Sequence, residues 1–258
     1  MPWLAFVGLG LKLKDVTLEA LETLKNADTV FLDTYTSISP DINISSLRSL
    51  IGKDVIPLRR RDIEDENAAK IFNELSRGKN VAFAVIGDPF IATTHMALLL
   101  EAIRRNIEVK VIHGLTIYTV AISYSGLMVY KFGRCATIVY PKEGIFYDYF
   151  YDVIKENLKL GLHTLLLLEL DVDNKVFMTA NDALKLMLEA EEKRREGVIS
   201  EEMMVLVIAR AGFPTQKYVY GKIASLIKED FGPPPHTIIV PGRLHYIEED
   251  ALKRFLIN

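Results

Sequence analysis

Asp88 and His95 stand near the two ends of a short segment, GDPFIATTH, that follows the apolar run VAFAVI. A carboxylate at such a point can accept from a ribose hydroxyl or an ammonium group, and it equally suits an Asx turn that serves only the backbone. An imidazole exchanges protons near neutrality, so His95 is a candidate base. His113, at the end of VKVIH, flanks the same edge, and His236 follows three prolines and opens another apolar run, HTIIV. The histidine spacings fit no metal-ligand signature and soft or acidic co-ligands are missing, so no metal site is expected. FVGLG, with Gly8 and Gly10, has the look of a dinucleotide loop, but Leu13 stands where the fingerprint needs its third glycine. Asp33 sits at about the right distance for a ribose, which leaves a nicotinamide-dinucleotide oxidoreductase one supporting feature. Otherwise these glycines make a tight turn or admit an adenosyl ligand close to the backbone.

The elements that must position these residues can be read from periodicity. VAFAVI does not alternate, as expected of a strand covered on both faces. Gly87 allows the chain to turn, Pro89 stiffens the turn, and Thr93 or Thr94 is the expected cap of helix MALLLEAIRRN. Strands LAFVGLG, TVFLD, DVIPL, NVAFAVIGD and VKVIHG alternate with helices, TLEALETLKNA among them with Thr17 as cap. That alternation implies right-handed crossovers and a parallel sheet, with ligands at its carboxyl edge. Beyond Gly114 a helix rich in small residues leads to strand CATIVYP, helix YFYDVIKENLKLG and strand HTLLLLEL. A long helix from Ala180, a hairpin of MMVLVIARAG with QKYVYGKI, and a central strand HTIIVPG complete a mixed sheet. The fold class is α/β, with an N-terminal domain over 1–112 and a C-terminal mixed domain over 117–258.

Composition narrows the partners. The 258 residues carry a formal charge of −3 from 31 basic and 34 acidic side chains, which argues against coating nucleic acid. The run Arg59–Arg61 is followed at once by DIEDE and reads as a solvated face. Cys135 is the single cysteine; it excludes an internal disulfide, suits a reducing compartment and is expected to pack as a small core residue. MPWLAFVGLG lacks the basic start of a signal peptide, and no apolar run approaches the roughly 20 residues that span a bilayer. A cytoplasmic protein with no membrane partner is the expectation.

FVGLGL, GDPFIATTH, YKFG (Tyr130–Gly133), GLHTLLLLEL, MTANDAL and DFGPPPHTIIVPGRLH occur in this order. Together they resemble the diphthine synthases, of the tetrapyrrole-methylase-like class of S-adenosylmethionine-dependent methyltransferases. The resemblance runs from the first ten residues to about residue 245. It implies two α/β domains of the tetrapyrrole methylase type, with the cofactor in the cleft between them, and a homodimer. It also implies methylation of the α-amino nitrogen of a 3-amino-3-carboxypropyl group on a histidine of translation elongation factor 2. The cofactor contacts it implies are Leu11, Asp88, Ile91, Thr116, Ile117, Leu168, Ala211 and His236. Where relatives have a Ser-Ile pair after Pro or Ala, this chain has GLTI, with Thr116 keeping the hydroxyl.

Methyl transfer from a sulfonium to an amine needs chiefly positioning and desolvation, so the lack of a triad or metal cluster is expected and no catalytic residue is named. Tyr118, Tyr124 and Tyr130 are candidates to face a methylammonium, and Arg134 or Lys131 to meet the substrate carboxylate. The closest rival reading is a porphyrin- or corrin-precursor methylase of the same class.

Overall fold

The computed structural model describes residues 1–257, which divide into two compact units: Met1–Ile117 with Leu170–Lys175, and Tyr118–Glu169 with the chain from Val176 onward. The first contains β1 (Trp3–Gly8), α1 (Leu18–Asn26), β2 (Thr29–Asp33), α2 (Ile44–Ile51) and β3 (Val55–Leu58). It continues through α3 (Arg60–Ile63), α4 (Ala69–Ser76), β4 (Val81–Val85), α5 (Met96–Arg104) and β5 (Glu108–Ile112). The strands pair in the order β3-β2-β4-β1-β5, all parallel. The loops leaving β4, β1 and β5 are therefore neighbours at the carboxyl edge.

The central strands lack alternation because both faces of the sheet are covered. Ala5, Val7, Ala82 and Ala84 enter a buried cluster with Leu24 of α1 and Leu47 of α2. Leu4, Phe6, Val81 and Phe83 enter the opposite one with Phe72 of α4 and Leu98 of α5. Small residues thus admit the helices on one side, and aromatic rings fill the other; Phe6 and Phe83 meet edge to face at 6.1 Å.

Thr17 caps α1 by accepting from the Ala20 amide at 3.1 Å. The expected threonine cap of α5 is not formed. Thr93 donates to the Pro89 carbonyl at 2.5 Å and Thr94 to Glu64 at 3.0 Å, so both hydroxyls are taken before the helix begins at Met96. The basic run is a solvated face, as its composition suggests, but Asp62 beside it is buried. It accepts from the Arg59 amide at 2.8 Å and the Lys70 ammonium at 2.7 Å, which stabilises α3, a turn with no periodic signal in the sequence.

Along the rest of the chain come α6 (Ile117–Ser125), β6 (Ala136–Ile138), α7 (Tyr149–Lys159), β7 (Thr164–Leu168), and the short strands β8 (Leu170–Asp171) and β9 (Val176–Phe177). Then follow α8 (Ala180–Arg194), β10 (Met204–Ala209), β11 (Lys217–Lys222), α9 (Ile223–Leu226), β12 (His236–Val240) and α10 (Tyr246–Lys253). The second unit's sheet has the order β11-β10-β12-β7-β6 and is mixed: β7 and β6 are parallel, the other pairs antiparallel. Because β12 runs against both neighbours, its first residue lies beside the last residues of β10 and β7, with His236 opposite Ala209 and Thr237 opposite Leu167.

Cys135 is exposed rather than in the core. Beside it β6 is an edge strand that buries only Ala136 and Ile138, so Cys135 and Thr137 alternate outward, and Cys135 meets the Tyr118 hydroxyl. Helix α10, also unread in the sequence, is held by Glu248. This buried carboxylate accepts from the amides of Met128 and His245 at 2.8 Å each, from His163 Nε2 at 2.9 Å, and from the Lys131 ammonium. Burial pushes its carboxyl up, but these donors outweigh burial and hold it down at about 2.

Candidate functional site

In the first unit, backbones meet with no side chain between them. Gly10 donates to the Gly87 carbonyl at 3.2 Å, and Gly87 donates back at 2.8 Å. A Cβ on Gly8 would lie 2.4 Å from the Gly114 nitrogen, and one on Gly114 would lie 2.1 Å from the Gly87 oxygen. The glycines of the first loop therefore serve contact among the three strand-end loops, with Gly10 and Gly87 at φ of +74° and +84°. Leu11 is fixed at both backbone groups: its amide donates to Asp15 at 3.2 Å, and its carbonyl accepts from the Ser39 hydroxyl at 2.8 Å.

Asp88 is buried and binds the neighbouring loop. One carboxylate oxygen accepts from the Phe90 amide at 3.0 Å, an Asx turn; the other lies 2.8 Å from His113 Nδ1 and accepts from the Gly114 amide at 3.3 Å. Thr116 is buried just before α6, Ile117 is half-buried as its first residue, and Ile91 is exposed in the GDPFI segment. Strand order brings Leu11, Asp88, Thr116 and Ile117 onto adjacent strand ends.

Two sequence candidates are corrected here. His95 does not reach the solvent: its ring is fully buried, with Nδ1 at 2.9 Å from the Pro89 carbonyl and Nε2 at 3.3 Å from Asp33 without hydrogen-bond alignment. Its place against the Phe83 ring, 4.9 Å between centroids, makes it a core residue. Asp33 is equally unavailable to a ribose, because its carboxylate accepts from the amides of Tyr35 and Thr36 at 2.8 and 3.2 Å and from the Thr36 hydroxyl.

In the second unit, Leu168, Ala211 and His236 gather at one end of the mixed sheet, all buried. His236 Nδ1 accepts from the Ala180 amide at 3.1 Å, one of the otherwise unpaired donors at the start of α8. Nε2 therefore carries the hydrogen, and it has no partner in hydrogen-bond geometry among the described residues. Burial, with the Arg210 charge second, pushes the imidazole down to about 4, against the weaker pull of the Pro233 and Gly232 carbonyls. Arg210, missed in the sequence, supports this end: its guanidinium donates to the carbonyls of Thr215 at 2.9 Å, Phe231 at 2.8 Å and Pro233. An arginine directly after an apolar strand was the available signal.

Lys131, Arg134 and Tyr124 have structural partners, and Tyr130 points into solvent. Lys131 is committed to Glu248, and Arg134 to Glu156 at 2.5 Å and to the Tyr149 hydroxyl. Tyr124 packs on Tyr218 at 4.7 Å and on Phe255 at 5.9 Å; Tyr130 is 93% exposed.

Residues 4–227 match the family described as Tetrapyrrole (Corrin/Porphyrin) Methylases. The chain is 44% identical over 258 residues to a diphthine synthase of Methanocaldococcus jannaschii, covering 99% of each. Among solved structures, a chain from Entamoeba histolytica is similar at 35% identity and a TM-score of 0.91, with 100% of both chains covered. A crystal structure of diphthine synthase is similar at 33% identity and a TM-score of 0.88, covering 98% of this chain and 96% of that one. The parallel and mixed sheets, the glycine-closed loops and this full-length likeness agree: the chain belongs to the tetrapyrrole methylase family, among its diphthine synthases, and is a methyltransferase.

Proposed function

We propose that the chain uses S-adenosylmethionine to methylate the α-amino nitrogen of the 3-amino-3-carboxypropyl group on a histidine of translation elongation factor 2, forming diphthine. The observation that carries this is the 44% identity to a diphthine synthase over 99% of both chains. When bound, the cofactor would supply an electrophilic methyl group for the amine nitrogen, with its sulfur as the leaving group.

The residues present fit such a nucleoside. Among the described residues the buried His236 Nε2–H has no acceptor in hydrogen-bond geometry, and Leu168 and Ala211 at the same sheet end offer apolar contact. Leu11, Asp88, Ile91, Thr116 and Ile117 of the first unit, with Leu168, Ala211 and His236 of the second, are the proposed contacts. The protein's contribution is to fix the amine in line with the methyl and to exclude water. The units 1–112 and 117–258 are proposed as the two functional domains.

We further infer a homodimer working in the cytoplasm. Met96, Leu100 and Ile103 are exposed along one side of α5, an apolar stripe of the kind a second copy covers. The lone cysteine suits a reducing compartment, and no helix among the described residues is long and apolar enough to cross a membrane. Calorimetry with S-adenosylhomocysteine, followed by transfer of labelled methyl to carboxypropyl-modified elongation factor 2 or to a porphyrin precursor, tests the assignment. Binding with label only on the protein substrate supports it; no binding, or label only on the porphyrin, overturns it.

A further inference from the structure

The sequence contains five histidines, and one of them combines solvent exposure with a buried carboxylate partner. His95, His163 and His236 are buried, with ring nitrogens directed at the Pro89 carbonyl, Glu248 and the Ala180 amide. His245 is exposed too, but its Nδ1 is engaged in capping α10 by accepting from the Ile247 amide, and its ring has no carboxylate partner among the described residues. His113 is different. Its side chain is 77% exposed at the carboxyl end of β5, yet its Nδ1 lies 2.8 Å from Oδ2 of Asp88, a carboxylate only 7% exposed.

That contact fixes the ring chemically. An ionised carboxylate only accepts, so Nδ1 must carry the hydrogen, and Nε2 is left as the basic nitrogen. The same Asp88 oxygen accepts from the Gly114 amide, and the other holds the Phe90 amide, so the carboxylate is itself tied to two loops. Gly114 in turn packs against Gly8 and the Gly87 carbonyl, where a Cβ on Gly114 or Gly8 would collide, so the backbone bearing His113 is closely constrained. The arrangement is a buried acid orienting an exposed base, with the base at the end of β5 beside β1 and the acid in the loop that leaves β4.

We propose that His113 is the proton acceptor of the methyl transfer and that Asp88 is its positioning residue. The proposal rests on the amine methylation put forward above. An alkylammonium has no lone pair to attack with. Its N–H bond breaks, the proton forms a bond to His113 Nε2 as imidazolium, and the electron pair left on nitrogen becomes the nucleophile. The exposed imidazolium then releases the proton to water, which returns the base for another methyl. Asp88 stabilises the transient imidazolium and keeps Nε2 the accepting atom.

The test compares wild type with His113→Ala in single-turnover transfer to carboxypropyl-modified elongation factor 2, alongside calorimetry with S-adenosylhomocysteine. His113→Ala is expected to slow transfer by about 100-fold, with free imidazole restoring about tenfold, a magnitude ordinary for general base catalysis. Affinity for S-adenosylhomocysteine is expected to stay within about twofold, since His113 is not among the proposed cofactor contacts. Nitrogen-15 NMR of the imidazole should show the Nδ1–H tautomer in wild type and its loss in Asp88→Asn. An unchanged rate, a loss that imidazole does not rescue, or an Nε2–H ring in wild type would overturn the proposal. Wild type that binds S-adenosylhomocysteine but labels no elongation factor 2 would instead sink the substrate reading on which it rests.

Discussion

His236 is held neutral by its surroundings, and that has a measurable consequence. Its ordinary pKa of 6.5 falls to about 4 in the folded chain, so protonation favours the unfolded state. The associated stability is fully present above pH 6.5 and is lost as pH falls from there towards 4, amounting to about 3 kcal/mol by linkage. Urea unfolding of wild type and His236→Asn between pH 7 and 4 checks this: wild type should weaken more steeply, and equal slopes would contradict it. At this scale the sequence was informative about which residue types stand at strand ends, and less so about their surroundings. Asp88 and His236 stood out because a buried strand ends just before the one and begins at the other. His95 was not, because nothing in GDPFIATTH shows that the segment folds back and seals the ring under Pro89. Cys135 misled for a related reason: its apolar neighbours belong to an edge strand, where alternate residues face outward.

Elements in this chain are joined by backbone contact and buried charge as much as by apolar packing. Gly8→Ala places a methyl within 2.4 Å of the Gly114 nitrogen, so the loops must separate. Unfolding measurements should show a loss of about 1–3 kcal/mol, as for other overpacked sites, and unaltered stability would contradict the close approach. Glu248 plays the corresponding part in the second unit. Glu248→Gln strands Lys131 without its carboxylate and should cost about 3–5 kcal/mol, with α10 the first element to lose amide protection in hydrogen exchange. In wild type this group's pKa falls from 4.5 to about 2, so its stabilisation is present above pH 4.5 and disappears as pH drops through 2, below the window assigned to His236. Periodicity gave the strands and long helices of both sheets. It gave no hint of α3 and α10, short elements held by buried carboxylates: Asp62 takes the Arg59 amide and the Lys70 ammonium, and Glu248 reaches the distant Met128 amide.

At the scale of the whole molecule, two sheets of different construction each gather candidate residues at one end. In the parallel sheet this follows from uniform strand direction, which is why strand–GDP–helix reads as a candidate ligand loop. In the mixed sheet it depends on β12 running against β7 and β10, a pairing that local sequence does not encode. The central claim is that these ends serve a methyltransferase acting on an amine of a protein client. Mass spectrometry of carboxypropyl-modified elongation factor 2, after incubation with the purified chain and isotopically labelled S-adenosylmethionine, tests it most directly. The account predicts mass gains in whole labelled methyl increments, with fragmentation placing them on the amino nitrogen of the modified histidine. Label that is absent from that residue, or confined to another site, would contradict it.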